Sequence, residues 1–290
     1  MLGLSLALAA GACFAAGSVL ARVGQRHRHA DDGLLMSVAV NVAVLALVAA
    51  TAEAPRWDAA GVVALVAGGV LGSVLGRAAS LRSVRLIGAT RSSAFMTASP
   101  VAAALAGWLI LDEGVTLLDG AGGALVIAGL LVLTLGHAPG EGPSVGLGGY
   151  LIAAVAPLSF GLGFVVKKWG LVHYPSAVHG ALIGSAAALG VIVAVDAVRG
   201  RLRRRAHENF VDVPRWFVGA GVAMSGALLA QFAAFDHLPA WLVGAMQGTQ
   251  ALWALAFGWM FLRADEQLDR RVAISVLLVV GGVALLALGR

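Results

Sequence analysis

A few polar side chains stand inside long apolar runs, and any chemistry this chain performs must start with them. Gln231 lies in one such run, and Gln247, Thr249 and Gln250 lie in the next, with Trp241 and Trp253 nearby. Gln247 and Gln250 are three residues apart, so on a helix they share a face, which Trp253 extends by another three. Two amides and an indole offer hydrogen bonds and stacking to a small ligand. The same amides also suit helix-to-helix bonding, at about 0.6 kcal/mol per contact in a membrane. Arg77 is the most informative cation, because it follows the small-residue row Gly68, Gly72 and Gly76. Either its guanidinium snorkels to the headgroups, or it faces inward, where its planar fork suits a carboxylate or another anion. Asn41 and Ser99, the latter beside Pro100, complete the candidate substrate-binding set.

This is the chemistry of recognition rather than of bond making. The chain has no His-Glu-x-x-His, no Gly-x-Ser-x-Gly and no phosphate-cradling loop. Its histidines are scattered, and Cys13 is the one cysteine, so no metal set and no disulfide framework is expected. Accordingly no catalytic residue, metal or cofactor is expected, and the chain does not read as an enzyme. All 15 Asp and Glu residues fall in loops or at the ends of expected helices. A proton relay through a midspan carboxylate is therefore not indicated. Passive movement, exchange, or coupling through a helix-end group such as Asp112, Glu113 or Asp236 remain.

The elements that position these residues follow from composition. Hydrophobic residues make up 60% of the 290 positions and charged residues 12%, with a mean hydropathy of +0.91. That composition belongs to a membrane-spanning chain. The apolar runs are long and continuous, which is helix length rather than the alternation of a barrel strand. Read against charged and Pro/Gly breaks, they predict spans at 2–21, 34–52, 59–80, 89–111 and 117–136, then 147–167, 176–196, 216–236, 239–262 and 271–289. Pro100 and Pro157 each remove a backbone hydrogen bond and are expected to kink the fourth and sixth spans near their middles. The formal charge of +5 comes from short basic segments between spans, so no nucleic-acid partner is expected. The first run lacks a preceding basic residue and reads as a retained span rather than a cleaved signal.

The chain also repeats itself. Gly107-Trp108 falls on Gly258-Trp259 without a gap, and in the same register Leu86-Ile-Gly-Ala89 falls on His237-Leu-Pro-Ala240. After a two-residue shift, 128–136 matches 281–289. Residues 1–137 and 147–290 are thus two five-helix copies, joined by the linker 138–146. Five is an odd number, so the second copy enters the membrane from the opposite side and the halves are inverted. Such architectures hold substrate near the midplane between the halves.

The stretch from Leu86 to Glu113, with its small-residue turn, proline-bearing helix and terminal glutamate, resembles the EamA-type repeat of the drug/metabolite transporter superfamily. The Gly-rich helix starting at Gly120 continues the likeness. The second copy departs from it at Ala251, which replaces the proline, and at Arg263-Ala-Asp-Glu266. The resemblance implies ten transmembrane helices, a central cavity, and movement of amino acids, metabolites or drugs. A translocase for a lipid-linked or amphiphilic substrate is the runner-up, followed by a membrane-embedded enzyme and a structural subunit. The expected partners are a small-molecule substrate and the lipid bilayer of the cell (inner or plasma) membrane, and the reading leaves room for a homodimer.

Orientation divides two arguments. With these loops, all but Arg56, Lys167, Lys168 and Arg290 of the 20 Lys and Arg residues fall on one side. The positive-inside rule then places both termini outside. Proteins with this repeat are usually drawn with both termini inside. The charge asymmetry acts directly on this sequence, so termini outside is the expectation.

Overall fold

A computed structural model of the chain describes residues 1–27, 33–53, 55–87, 92, 95–96, 98–114, 116–135, 147–210, 215–262 and 270–288. Among the described residues every regular element is a helix. The expected linker 138–146 lies outside them. The first half holds α1 (Leu2–His27), α2 (Leu34–Ala49), α3 (Ala59–Gly69), a π-helical segment (Val70–Gly76), α4 (Arg77–Ile87), α5 (Ser99–Leu111) and α6 (Leu117–Leu135). The second holds α7 (Leu147–His173), α8 (Ala177–Val198), α9 (Leu202–Phe210), α10 (Arg215–Phe235), α11 (Ala240–Gln247), α12 (Gln250–Leu262) and α13 (Arg270–Leu288).

Among the described residues five stretches are long and apolar enough to cross a bilayer: Leu2–Gln25, Ala59–Ser83, Gly148–His173, Ala177–Val198 and Arg215–Phe235. Shorter apolar helices run at Leu34–Ala49, Ser99–Leu111, Leu117–Val132 and Ala273–Leu286. Large apolar side chains such as Leu47, Val63, Leu109 and Leu277 point outward from the bundle. Such a surface fits hydrocarbon rather than water. The chain is a multi-pass helical membrane protein.

Helix bounds repeat between the halves. Ser99 and Gln250, which open α5 and α12, stand in the same register as Gly107 and Gly258, and each helix has 13 residues. After the two-residue shift, α6 and α13 also coincide, at 19 residues each. Packing repeats as well. α1 packs on α10 as α7 packs on α3, α1 on α12 as α7 on α5, and α2 on α10 as α8 on α3. Of the remaining close pairs, α2 with α8 and α6 with α13 join equivalent helices to each other, and α5 packs on α11. Small residues bring them together: the Ser275 hydroxyl donates to the Gly129 carbonyl at 2.7 Å across α13 and α6.

Helix directions follow from contacts at the two ends. A Cβ on Gly3, at the start of α1, would lie 2.8 Å from Leu238, whose carbonyl accepts from Lys168 near the end of α7. The start of α1 and the end of α7 therefore share one end of the bundle, and these two helices run in opposite directions. At the other end, Gly24 late in α1 lies against Phe217 early in α10.

Three sequence expectations need correction. Pro100 does not kink a helix at its middle. It stands in the first turn of α5, where its missing N–H costs nothing. The ninth expected span is not one helix, because Gly248 and Thr249 form a turn between α11 and α12. The Met246 carbonyl accepts both the Thr249 backbone N–H at 3.0 Å and the Thr249 hydroxyl at 2.6 Å. The sixth span does not end at the charged pair Lys167-Lys168. α7 continues through both to His173, because Trp169, Leu171 and Val172 carry the apolar face onward. Pro157 does lie inside α7.

Candidate functional site

The π-helical segment is the local device that shapes the interior. A π turn is wider than an α turn and re-aims the residues beyond it. Here it ends at Gly76 and delivers Arg77 to an internal cavity. The glycine row noted in the sequence packs along α7. A Cβ on Gly68 would lie 2.6 Å from Lys167 Cγ, and one on Gly72 would lie 3.5 Å from Lys167 Nζ. The row is thus a groove that receives the Lys167 side chain.

The cavity has a volume of about 220 Å³ and draws its lining from both halves. Ser18, Asn41, Ser73 and Arg77 come from the first half, and Phe160, Lys167, Ser185, Gln231, Gln247 and Gln250 from the second. An adjoining cavity of about 440 Å³ shares Arg77, Phe160, Phe164, Gln247 and Gln250 and adds Ser99. The buried core, which includes Leu4, Leu171, Tyr174, Phe232, Phe235, Leu238 and Trp241, fills the end where α1 starts and α7 finishes. From Lys167 and Gln231 the cavity extends away from that core, toward Arg77 and Ile192.

Of the sequence candidates, Asn41, Arg77, Gln231, Gln247 and Gln250 line the first cavity, and Ser99 the second. The amides also tie helices together. Gln231 Nε2 donates to Gln247 Oε1 at 2.5 Å, linking α10 to α11. Gln250 Nε2 donates to the Ser18 hydroxyl at 3.3 Å, and Ser225 donates to Asn41 Oδ1 at 3.2 Å. The same amides thus line the cavity and bond one helix to another. Some polar capacity stays unspent: Gln231 Oε1 and the hydroxyls of Ser99 and Ser185 are buried without a protein partner.

Trp253 is not brought to either cavity. It is 40% exposed and stacks on Phe257, with ring centroids 6.1 Å apart. Trp253 lies three residues after Gln250 on the unbroken α12, about 60° short of a full turn, and looks outward.

Lys167 is the residue that sequence reasoning missed. It is only 7% exposed, and its ammonium lies 5.9 Å from the centroid of the Phe232 ring. Among the described residues no carboxylate pairs with it. A charge at membrane depth costs about 3 kcal/mol on insertion scales, which makes such a residue expensive to retain without a task. One signal was available: an apolar stretch resumes directly after the Lys pair.

Its neighbour Lys168 behaves differently. It lies 2.7 Å from Glu113 Oε1 and donates to the Leu238 carbonyl at 2.7 Å. Of the helix-end acids considered for coupling, Glu113 is thus engaged, whereas Asp112 and Asp236 are exposed.

The EamA-like transporter family model matches residues 1–135 and 147–288, two tandem segments that span nearly the whole chain. The chain belongs to the EamA-like transporter family, and it is a membrane transporter of small solutes. A crystal structure of a protein 18% identical to it aligns with a TM-score of 0.72 over 99% of this chain and 96% of that one, which shows the shared fold. No curated protein matches.

Proposed function

We propose that this chain moves a small organic solute by alternating access, with ten membrane-crossing segments arranged as two inverted five-helix repeats, 1–137 and 147–290. It acts in the cell membrane as a carrier and not as an enzyme. The observation that carries the reading is one cavity whose wall takes polar side chains from both halves. Two others support it. The closest helix pairs exchange into one another when the halves are exchanged, and α1 and α7 run in opposite directions. A pseudo-two-fold axis between such halves lets one rock against the other about a site at the midplane. The amides, Arg77, Asn41 and Ser99 form the substrate site in this reading, and Trp253 is left out of it.

The test is flux. Purified protein in proteoliposomes should exchange or accumulate at least one member of a labelled panel of amino acids, organic acids and small drugs, in a saturable manner. Protein-independent rates across the whole panel would sink the reading.

A further inference from the structure

Among the described residues that line the cavity, Arg77 and Lys167 are cationic and none is acidic. Lys167 is buried and meets no carboxylate among the described residues, and Arg77 lines the same space. No Asp or Glu appears among the described residues that line either this cavity or the adjoining one. Lys167 is also placed rather than merely tolerated. Its stem fills the groove left by Gly68, and Gly72 keeps open the space beside its ammonium. Gln231 lines the same cavity, and its Oε1 has no partner and offers an acceptor. This cavity, at about 220 Å³, is below the range of drug-sized pockets.

Resting on the carrier reading above, we propose that the site binds a small organic anion, its acid group held by Lys167 with Arg77 beside it and a donor group of the ligand meeting Gln231. Lys167 supplies a point charge and Arg77 a planar fork, and both carboxylates and phosphate monoesters satisfy that pair. A buried cation met by a ligand anion is neutralised on binding, so the occupied site costs less to keep in the membrane than the empty one.

Binding separates this proposal from the question of flux. The full-length protein in detergent is screened by thermal unfolding against acetate, lactate, succinate and glycerol phosphate, alongside acetamide, lactamide, succinamide and glycerol. The expected result is stabilisation by at least one anion and none by its neutral counterpart. Carboxylate against phosphate hits identify the acid group. Lys167→Met keeps the stem in its groove and removes the charge; it should weaken that anion by roughly tenfold to a hundredfold. Lys167→Arg should retain part of the affinity. If no anion binds, or if the anion binds Lys167→Met as tightly as wild type, the proposal is overturned. Flux of a neutral solute that is indifferent to Lys167→Met would also overturn it, while leaving the carrier reading intact. Lys167-dependent anion binding without flux would do the reverse.

Discussion

The Glu113 carboxylate lies 2.7 Å from the Lys168 ammonium, and both its oxygens lie 3.0 Å from the Ala240 backbone nitrogen. Glu113 follows α5 in the first half, whereas Lys168 and Ala240 belong to α7 and α11 in the second. One carboxylate thus clasps the halves together at the end filled by the apolar core. The N-terminus of α11 adds to its hold, since exposed N–H groups favour a negative charge there. Gly107 makes the fold-back feasible, because a Cβ at that position would lie 2.6 Å from Glu113 Oε2.

If this end must open during transport, Glu113→Gln should shift the population toward an open form. In a Cys13→Ser background, a cysteine at buried Leu238 reports the change through its labelling by a hydrophilic maleimide. Charge-assisted hydrogen bonds contribute about 1.5–3 kcal/mol, so labelling should accelerate by roughly tenfold or more. Equal labelling in both backgrounds would reduce the clasp to a static tie.

Three glycines at and beside the groove, Gly68, Gly69 and Gly72, should differ in their response to alanine. A Cβ on Gly69 would lie 2.3 Å from the Gly184 carbonyl oxygen, and backbone cannot move aside without separating α3 from α8. On Gly68 it meets Lys167 Cγ at 2.6 Å and the Lys167 backbone nitrogen at 3.1 Å. On Gly72 the nearest atom is Lys167 Nζ at 3.5 Å, an ordinary contact. Overpacking costs about 1–3 kcal/mol, so unfolding temperature should fall most for Gly69→Ala, less for Gly68→Ala and least for Gly72→Ala. A different order would mean that the groove is wider than described.

How much of this was legible in the sequence depends on which physical signal each residue leaves. Register was legible. The Gly107-Trp108 and Gly258-Trp259 match anticipates two helices with equivalent bounds, because a repeat conserves where chains start and stop. Five polar residues that line the cavity stood out because amides and a guanidinium are costly in apolar runs. Lys167 was hidden by its neighbour. A pair of lysines reads as a span end, and only packing reveals that one faces the cavity while the other reaches a glutamate far away in sequence. Trp253 failed for a different reason: a three-residue step falls about 60° short of a full turn, and that offset carries its indole outward although Gln250 lines the cavity.

Arg205 and Asp196 offer a test of the basic segment. Asp196 is buried at the end of α8, and Arg205 on α9 places Nη1 at 3.2 and 3.0 Å from its two carboxylate oxygens. Removing only the cation strands a buried charge, which costs about 3–5 kcal/mol in the general case and less here, as Arg205 is partly exposed. Arg205→Ala should therefore lower the unfolding temperature, and adding Asp196→Asn should recover much of the loss. If the double variant is as unstable as the single one, α9 is held by other contacts.

Orientation is settled by reporters. Lys167 faces the cavity rather than a loop, so removing it from the sparse side sharpens the charge asymmetry on which the rule acts. Arg199, Arg201, Arg203 and Arg204 are exposed near the membrane boundary and dominate the rich side. Both termini are expected outside. A cytoplasm-active reporter fused after residue 290 should be silent and one inserted near Gly200 should be active. The opposite pattern would show that the family's usual drawing applies.

Substitutions at the site divide residues that touch the cavity from one that does not. Gln247→Ala removes the acceptor of the Gln231 amide and Gln250→Ala frees the Ser18 hydroxyl, yet interhelical contacts of this kind hold only about 0.6 kcal/mol each. Both variants should reach the membrane in normal amount and unfold within a few degrees of wild type, while transport falls because the cavity wall has lost hydrogen-bonding groups. Trp253→Ala is the matched control: its indole is 40% exposed and lines neither cavity, so flux should stay unchanged. Arg77→Lys keeps the charge at the end of the π-helical segment and loses the fork. Lost transport in that variant at normal expression would show two-point recognition of an acid group, whereas retained transport would show that charge alone suffices. Normal flux through Arg77→Ala, Gln247→Ala and Gln250→Ala alike, with Trp253→Ala impaired, would move the site out of this cavity and onto the outer face of α12.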